Sequence, residues 1–287
     1  MEMLVGLLKT MRPKQWTKNL VLFAGILFSN NLFNVDLLKL SIVGFILFCI
    51  FSGNVYIVND IVDRKKDQSH PKKCNRPIAS GKVSVIQAIL FLCISIVFSF
   101  YTAYQMNLLF FVVGLFYFIL VTFYSFILKH VVLLDVMTIS IGFILRAVAG
   151  VVLIDVAISP WLLLCTFLLS LFLGLHKRKS EMALMKSGHK TTRKILEEYT
   201  PDLLNDMLHI VTSSTVMAYS LYTFTAGHSI IMMSTIPFVI YGIFRYQYIV
   251  HKKGMGENPE LVLLSDKPLI VDIMLWAVSC IVILYFI

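Results

Sequence analysis

Long apolar stretches recur along the chain, separated by short polar breaks and by two long polar loops. The apolar runs lie near Leu20–Leu32, Leu38–Val58, Val83–Tyr104, Leu108–Leu128, Val132–Ile154, Pro160–His176, Leu203–Ala226, Ile230–Ile249 and Leu269–Phe286. Most approach the roughly 20 residues a helix needs to cross the hydrocarbon core. None shows the period-two alternation of a barrel strand. Backbone polar groups in lipid must be satisfied within the segment, so the runs are expected to be helices. The pattern predicts an all-α membrane protein with about nine transmembrane helices. The first run is short and is expected to extend back through Trp16, an aromatic suited to the interface.

Composition removes the alternatives. Of 287 residues, 58% are hydrophobic and 14% charged, with a mean hydropathy of +0.83. A soluble domain carries about a quarter charged residues, which excludes a soluble enzyme, a secreted disulfide scaffold and a disordered chain. Too little sequence lies outside the apolar runs for a separate soluble domain, so residues 1–287 are expected to form one polytopic membrane domain. The five cysteines have neither metal nor redox spacing and read as apolar filler. Met1 to Lys18 shows no signal-peptide cleavage pattern.

Charge then gives the sequence a direction. Of the 25 Lys and Arg residues, all but Lys39 and Arg146 fall in the N-terminal arm, in the loops after the second, fourth, sixth and eighth runs or, for Arg245, in the last turns of the eighth run. The positive-inside rule puts that face in the cytoplasm. The expectation is a multi-pass protein of the inner or plasma membrane, with a cytoplasmic N-terminus and an external C-terminus. The net charge of +9 serves topology and attraction to anionic headgroups, and it also suits a basin for phosphorylated substrates. No nucleic-acid partner is called for.

The loop after the second run carries the chemistry. It reads Asn59-Asp60-Ile61-Val62-Asp63-Arg64-Lys65-Lys66-Asp67. If the helix continues, Asp60, Asp63 and Asp67 share one face at i, i+3, i+7. Three carboxylates so placed repel one another unless a cation sits among them. Mg2+ takes hard oxygen ligands, commonly one or two carboxylates plus substrate phosphates. The bland reading, a solvated acidic turn, is disfavoured because Asn59 and Asp60 directly follow an apolar span. Downstream, His70 to Lys82 is a Pro/Gly-shaped loop. In it Arg76 offers a planar fork and Lys72 a point charge for diphosphate oxygens.

The pattern N-D-x-x-D-x-x-x-D at Asn59–Asp67, followed by R-P-I-x-S-G at Arg76–Gly81, resembles the first aspartate motif of the UbiA-type intramembrane prenyltransferases. That resemblance implies nine membrane helices and an active site open to the cytoplasm. Ordinary members carry a second D-x-x-x-D motif after the sixth helix. Here the matching stretch is Lys177-Arg178-Lys179-Ser180-Glu181, and Asp202 and Asp206 read instead as acidic residues at a helix N-terminus. Several groups resemble the decaprenyl-phosphate phosphoribosyltransferase branch. They are Arg12 to Asn19, Tyr124-Ser125 with Lys129 and Asp135, Lys177-Arg178-x-x-Glu181, and Glu257 to Glu260 near Ser265-Asp266.

The branch implies Mg2+-dependent transfer of 5-phosphoribose from phosphoribosyl diphosphate to a polyprenyl phosphate, releasing diphosphate in cell wall biosynthesis. Asp60, Asp63 and Asp67 would hold Mg2+ on the donor diphosphate, with Asn59 in support. Arg76 and Lys72 would contact diphosphate oxygens. Lys177, Arg178 and Lys18 would grip the remaining phosphates, and Tyr124 and Glu181 would orient ribose hydroxyls. Lys129 and Asp135 are placed at the site rim, although they could simply pair with each other. A homo-oligomer is compatible with the family.

Arg146, inside the fifth run, needs a partner, with backbone carbonyls or Asp155 the bland candidates. His176 reads as a neutral interfacial histidine. Gly142, Ala149 and Gly150 read as close helix packing. Two rival functions remain: transfer of a prenyl group from prenyl diphosphate to an aromatic or lipid acceptor, and transport of anionic solutes. The missing second aspartate motif counts against the first. Polar residues gathered on one face, rather than at the midplane, count against the second.

Overall fold

Several of the long helices in this chain start at side chains that take up free N–H groups of the first turn. The computed structural model describes residues 2–69, 73–186, 194–227, 229–254, 256 and 259–287, and no strand occurs among them. The chain divides into two compact units. One comprises Met1–Phe126 with Leu145–Ile158, the other Ile127–Ile144 with Ser159–Ile287.

The first unit opens with α1 (Glu2–Thr10), a 3-10 helix (Pro13–Phe23) and α2 (Ala24–Phe28). Asn34 caps α3 (Val35–Val62) by accepting the N–H groups of Asp36 and Leu37. The five-residue α4 (Arg64–Gln68) follows. Ser84 and Gln87 form a reciprocal capping box on α5 (Val85–Met106). Asn107 alone separates α5 from α6 (Leu108–Phe126), and its Oδ1 accepts the Phe110 N–H at 3.0 Å. α3 packs against α5, α6 and the 3-10 helix. The core holds Phe48, Phe51, Phe110 and Tyr117, with Phe51 stacked on Phe100 at 4.6 Å.

α7 (Leu134–Leu153) gives its first residues to the second unit and Leu145 onward to the first. The second unit continues with α8 (Pro160–Lys186), α9 (Pro201–Thr225) and α10 (Ile236–Lys253). It ends with α11 (Pro259–Ser265) and α12 (Lys267–Phe286). Thr200 caps α9, and Asp266 caps α12 while Arg245 grips its carboxylate through two hydrogen bonds of 2.9 and 3.0 Å. The core gathers Phe172, Leu175, Leu204, Tyr246 and Ile249. Outward faces are apolar as well: α5 exposes Ile94, Val97 and Phe98, as a helix dissolved in lipid does.

Among the described residues, seven helical stretches are long and apolar enough to cross a membrane, against an expectation of about nine. The predicted span Leu20–Leu32 lies in the 3-10 helix and the short α2. The 3-10 segment does reach back over Trp16, as expected. Hydropathy registered its buried residues but not its tighter backbone winding. The other difference is α9, long enough at 25 residues but diluted by His209 and by the Thr, Ser and Tyr residues between Thr212 and Thr225. Asp202 sits in its first turn, as its reading as an N-terminal residue requires. The small-residue reading holds at Gly150, where an added Cβ would stand 2.0 Å from the Leu22 carbonyl oxygen.

Candidate active site

Two buried charge clusters, one in each unit, gather Asp60, Asp67 and Arg76 in the first and Asp135, Arg178 and Glu181 in the second. In the first unit, Asp60 lies at the end of α3 with only 2% exposure. Its Oδ1 accepts from Arg12 Nη2 at 2.7 Å and from Arg76 Nη1 at 3.1 Å. Arg76 Nη1 also donates to Asp67 Oδ2 at 2.6 Å. One guanidinium thus joins two carboxylates from either side of the turn at Asp63. Arg76 is placed for this by the compact loop before α5, where its N–H bonds the Lys73 carbonyl and its carbonyl accepts from Ser80.

Arg12 was the least legible member of this cluster. It adopts a left-handed backbone, φ 53° and ψ 66°, directly before Pro13, a position that disfavours such geometry. Strain of this kind costs about 1–3 kcal/mol and persists where the surroundings hold it. Here the holders are the ion pair to Asp60 and the Tyr56 ring, 4.5 Å from the Arg12 guanidinium carbon. Its place in the quoted segment from Arg12 to Asn19 was the available signal.

The expectation of three carboxylates on one continuous helical face is corrected. α3 ends at Val62, and Asp63 leaves helical geometry at φ −81° and ψ 3°. Asp60 and Asp67 are drawn together by Arg76. Among the described residues no hydrogen bond or ion pair brings Asp63 to them. No group of three or more His, Cys, Asp or Glu converges on a metal-sized position among those residues. The donors nevertheless suit a hard cation. Among the described residues, Asp60 Oδ2 and Asp67 Oδ1 accept no hydrogen bond, and carboxylate oxygens are what Mg2+ prefers. A cation held there would need further oxygens from a substrate. Asn59 is half-buried one residue before, Tyr124 is half-buried near the end of α6, and Lys18 is half-buried on the 3-10 helix. Lys72 lies outside the described residues.

Arg146 also belongs to this unit. Its Nε donates to Asn19 Oδ1 at 2.7 Å and its Nη2 to the Tyr117 hydroxyl at 2.7 Å. Asn19 and Tyr117 are thus among its hydrogen-bonded partners, and no ion pair with Asp155 occurs among the described residues. Asn19 in turn donates to Ser52 Oγ and Cys49 Sγ, each at 3.3 Å.

In the second unit, Arg178 is 1% exposed and Asp135 0%. Arg178 Nε donates to Asp135 Oδ2 at 2.6 Å, and Nη1 to Glu181 Oε2. Asp135 Oδ1 accepts from the Tyr199 hydroxyl at 2.6 Å, and that hydroxyl accepts the Leu133 N–H at 2.9 Å. Burial, and next the bond to Asp135, raise the Tyr199 pKa, so the hydroxyl stays protonated as a donor. Leu133 has φ 67°, a strained turn just before α7. Tyr199 fastens both this turn and the carboxylate that follows it. Nothing local in the sequence marked Tyr199. The suggested Lys129–Asp135 pair is not formed: Lys129 stays half-buried in a 3-10 turn, and Asp135 is taken by Arg178 and Tyr199. Lys177 is half-buried on α8. Glu257 and Asn258 lie outside the described residues.

Removing one partner of such a buried ion pair costs about 3–5 kcal/mol. Arg178 therefore anchors Asp135 and Glu181 firmly, and its Nε and Nη1 are directed at carboxylates rather than outward. The first cluster differs, since Arg12 and Arg76 are part-exposed and an anion can reach them.

Residues 20–264 match the UbiA prenyltransferase family. The chain is 36% identical over 289 residues to the decaprenyl-phosphate phosphoribosyltransferase of Corynebacterium glutamicum, covering 96% of this chain and 86% of that one. It is 31% identical over 291 residues to the protein of the same name from Mycolicibacterium smegmatis, covering 94% and 90%. Its fold resembles that of a UbiA homologue from Archaeoglobus fulgidus bound to GPP and Mg2+. The TM-score is 0.72 at 20% identity, over 97% of this chain and 99% of that one. The match over most of the chain agrees with the aspartate motif and with the membrane-spanning helices: the chain belongs to the UbiA prenyltransferase family.

Proposed function

We propose that this protein transfers 5-phosphoribose from phosphoribosyl diphosphate to a polyprenyl phosphate, with Mg2+, and releases diphosphate. The observation that carries the reading is Arg178. Ordinary members of the family are expected to present two carboxylates after the sixth helix. In this chain a buried and a part-buried carboxylate, Asp135 and Glu181, close on an arginine, with Lys177 beside it. One carboxylate centre for a diphosphate, and a second region whose carboxylates are neutralised by an arginine and so are not left for a second metal, suit a donor with a diphosphate at C1 and a phosphate at C5, and a phosphate acceptor. The names of the two relatives above agree with this chemistry.

Asp60 and Asp67 would hold Mg2+, whose positive charge would offset that of the departing diphosphate. Arg76 and Arg12 are the fixed cations for diphosphate oxygens. Arg76 has the planar fork for that contact and holds Asp60 and Asp67 in place before it. Donors aimed in advance at developing charge are a large source of rate acceleration. As the C1–O bond breaks, positive charge grows on the ribose, and an oxygen of the polyprenyl phosphate forms the new bond at C1. That oxygen is anionic at neutral pH, so no residue need remove a proton from it. Lys177, Lys18, Lys129 and Lys72 are assigned to the remaining phosphates, with Tyr124 at the ribose. Arg178 is a positioning residue, which fixes Asp135 and Glu181. The distribution of Lys and Arg supports a cytoplasmic N-terminus and an external C-terminus.

The test offers purified protein two pairs of substrates: labelled phosphoribosyl diphosphate with polyprenyl phosphate, and labelled prenyl diphosphate with an aromatic acceptor. Label from the first pair is expected in the lipid phase, dependent on Mg2+. Label transferred only from the second pair would replace this reading with prenyl transfer.

A further inference from the structure

Away from the Arg178 cluster, α8 and α10 of the second unit carry a group of basic side chains to which no function has been assigned above. His176 is 1% exposed, and among the described residues neither of its ring nitrogens has a hydrogen-bond partner. Its ring meets Phe172 edge-on at 4.5 Å, Tyr246 at 5.5 Å and His251 at 6.5 Å. Lys179 is one helical turn along α8 from His176, on the same face. Lys179 is close enough to both imidazoles, and His251 to His176, for their charges to interact through space. Among the described residues Lys179 makes no ion pair. The three groups form a gradient from buried His176 through half-buried Lys179 to exposed His251. Gly256 lies against Ser180, the next residue of α8, since a Cβ on Gly256 would stand 2.1 Å from Ser180 Oγ.

Burying an imidazole with neither ring nitrogen hydrogen-bonded costs free energy, and an anion drawn in by the neighbouring lysine would give its N–H an acceptor. We propose that His176, Lys179 and His251 form an anion subsite that takes a phosphate monoester. Lys179 supplies the fixed charge, His251 the entrance and His176 a donor at the floor. The shared chemistry is a terminal phosphate with three acceptor oxygens. Its source is either the C5 phosphate of a soluble sugar phosphate or an anionic lipid headgroup. Only the naming of the sugar phosphate as the donor's C5 end rests on the proposed function.

The test uses the full-length protein in phosphatidylcholine nanodiscs and reads thermal unfolding against inorganic phosphate and ribose 5-phosphate, without turnover. Both ligands are expected to raise the Tm of the parent. Lys179→Gln and His251→Gln should weaken the apparent phosphate affinity by about tenfold each, the usual effect of losing one charge-assisted hydrogen bond. His176→Phe preserves the aromatic packing and should also lose the response, whereas a purely structural histidine would leave it intact. A second arm adds phosphatidic acid to the nanodiscs. Lys179-dependent stabilisation by phosphatidic acid, with no effect of soluble phosphate, would identify the headgroup as the occupant. Variants that respond like the parent, or no phosphate effect in either lipid, would overturn the subsite. Lys179-dependent binding without phosphoribosyl transfer would remove the proposed function and leave the subsite. Transfer without such binding would do the reverse.

Discussion

Arg76 sets the behaviour of the first cluster, because a single guanidinium nitrogen joins Asp60 and Asp67. A lysine there keeps the charge but not the fork. Arg76→Lys is therefore expected to lower kcat/KM for phosphoribosyl transfer by about tenfold to a hundredfold, measured in purified, folded protein. Activity within twofold of the parent would remove Arg76 from diphosphate binding. At this scale the sequence was uneven as a guide. Asp60 and Arg76 stand 16 positions apart within one motif, so their joint role was legible. Arg12 reaches Asp60 across 48 positions and Tyr199 reaches Asp135 across 64. Such contacts depend on how helices pack, which local spacing does not record. Arg178 was recognised as important, but the cation read as a grip for phosphate proved to be held by two carboxylates.

Among the elements, the helices predicted by hydropathy are largely where the apolar runs lie. The failures have definite causes. The acidic stretch was read as a continuation of α3, but the helix ends at Val62, and the face expected to carry three carboxylates is broken at Asp63. The N-terminal run is wound as a 3-10 helix and packs partly through its backbone, which hydropathy does not report. Gly150 is the contact that permits this packing. Gly150→Ala would set a methyl group against the Leu22 carbonyl. Overpacking of that kind typically costs about 1–3 kcal/mol. The variant is expected to unfold at a temperature several degrees lower in a thermal-shift assay, and an unchanged Tm would show that the segment can move aside freely.

For the whole molecule, scarcity of charge and its placement were the informative quantities. They gave a helical membrane protein whose cations flank polar loops, and the family match agrees. Sequence alone could not divide the chain at Phe126 and Leu145 into compact units, since a boundary inside α7 leaves no compositional mark. The central claim concerns what is transferred, and phosphorus NMR observes it directly. Purified protein in nanodiscs would be given phosphoribosyl diphosphate, polyprenyl phosphate and Mg2+. The account predicts that the donor diphosphate signals give way to free diphosphate while the polyprenyl phosphate monoester becomes a phosphodiester, and that neither change occurs with EDTA. A monoester signal that persists in an enzyme active with prenyl diphosphate would contradict it.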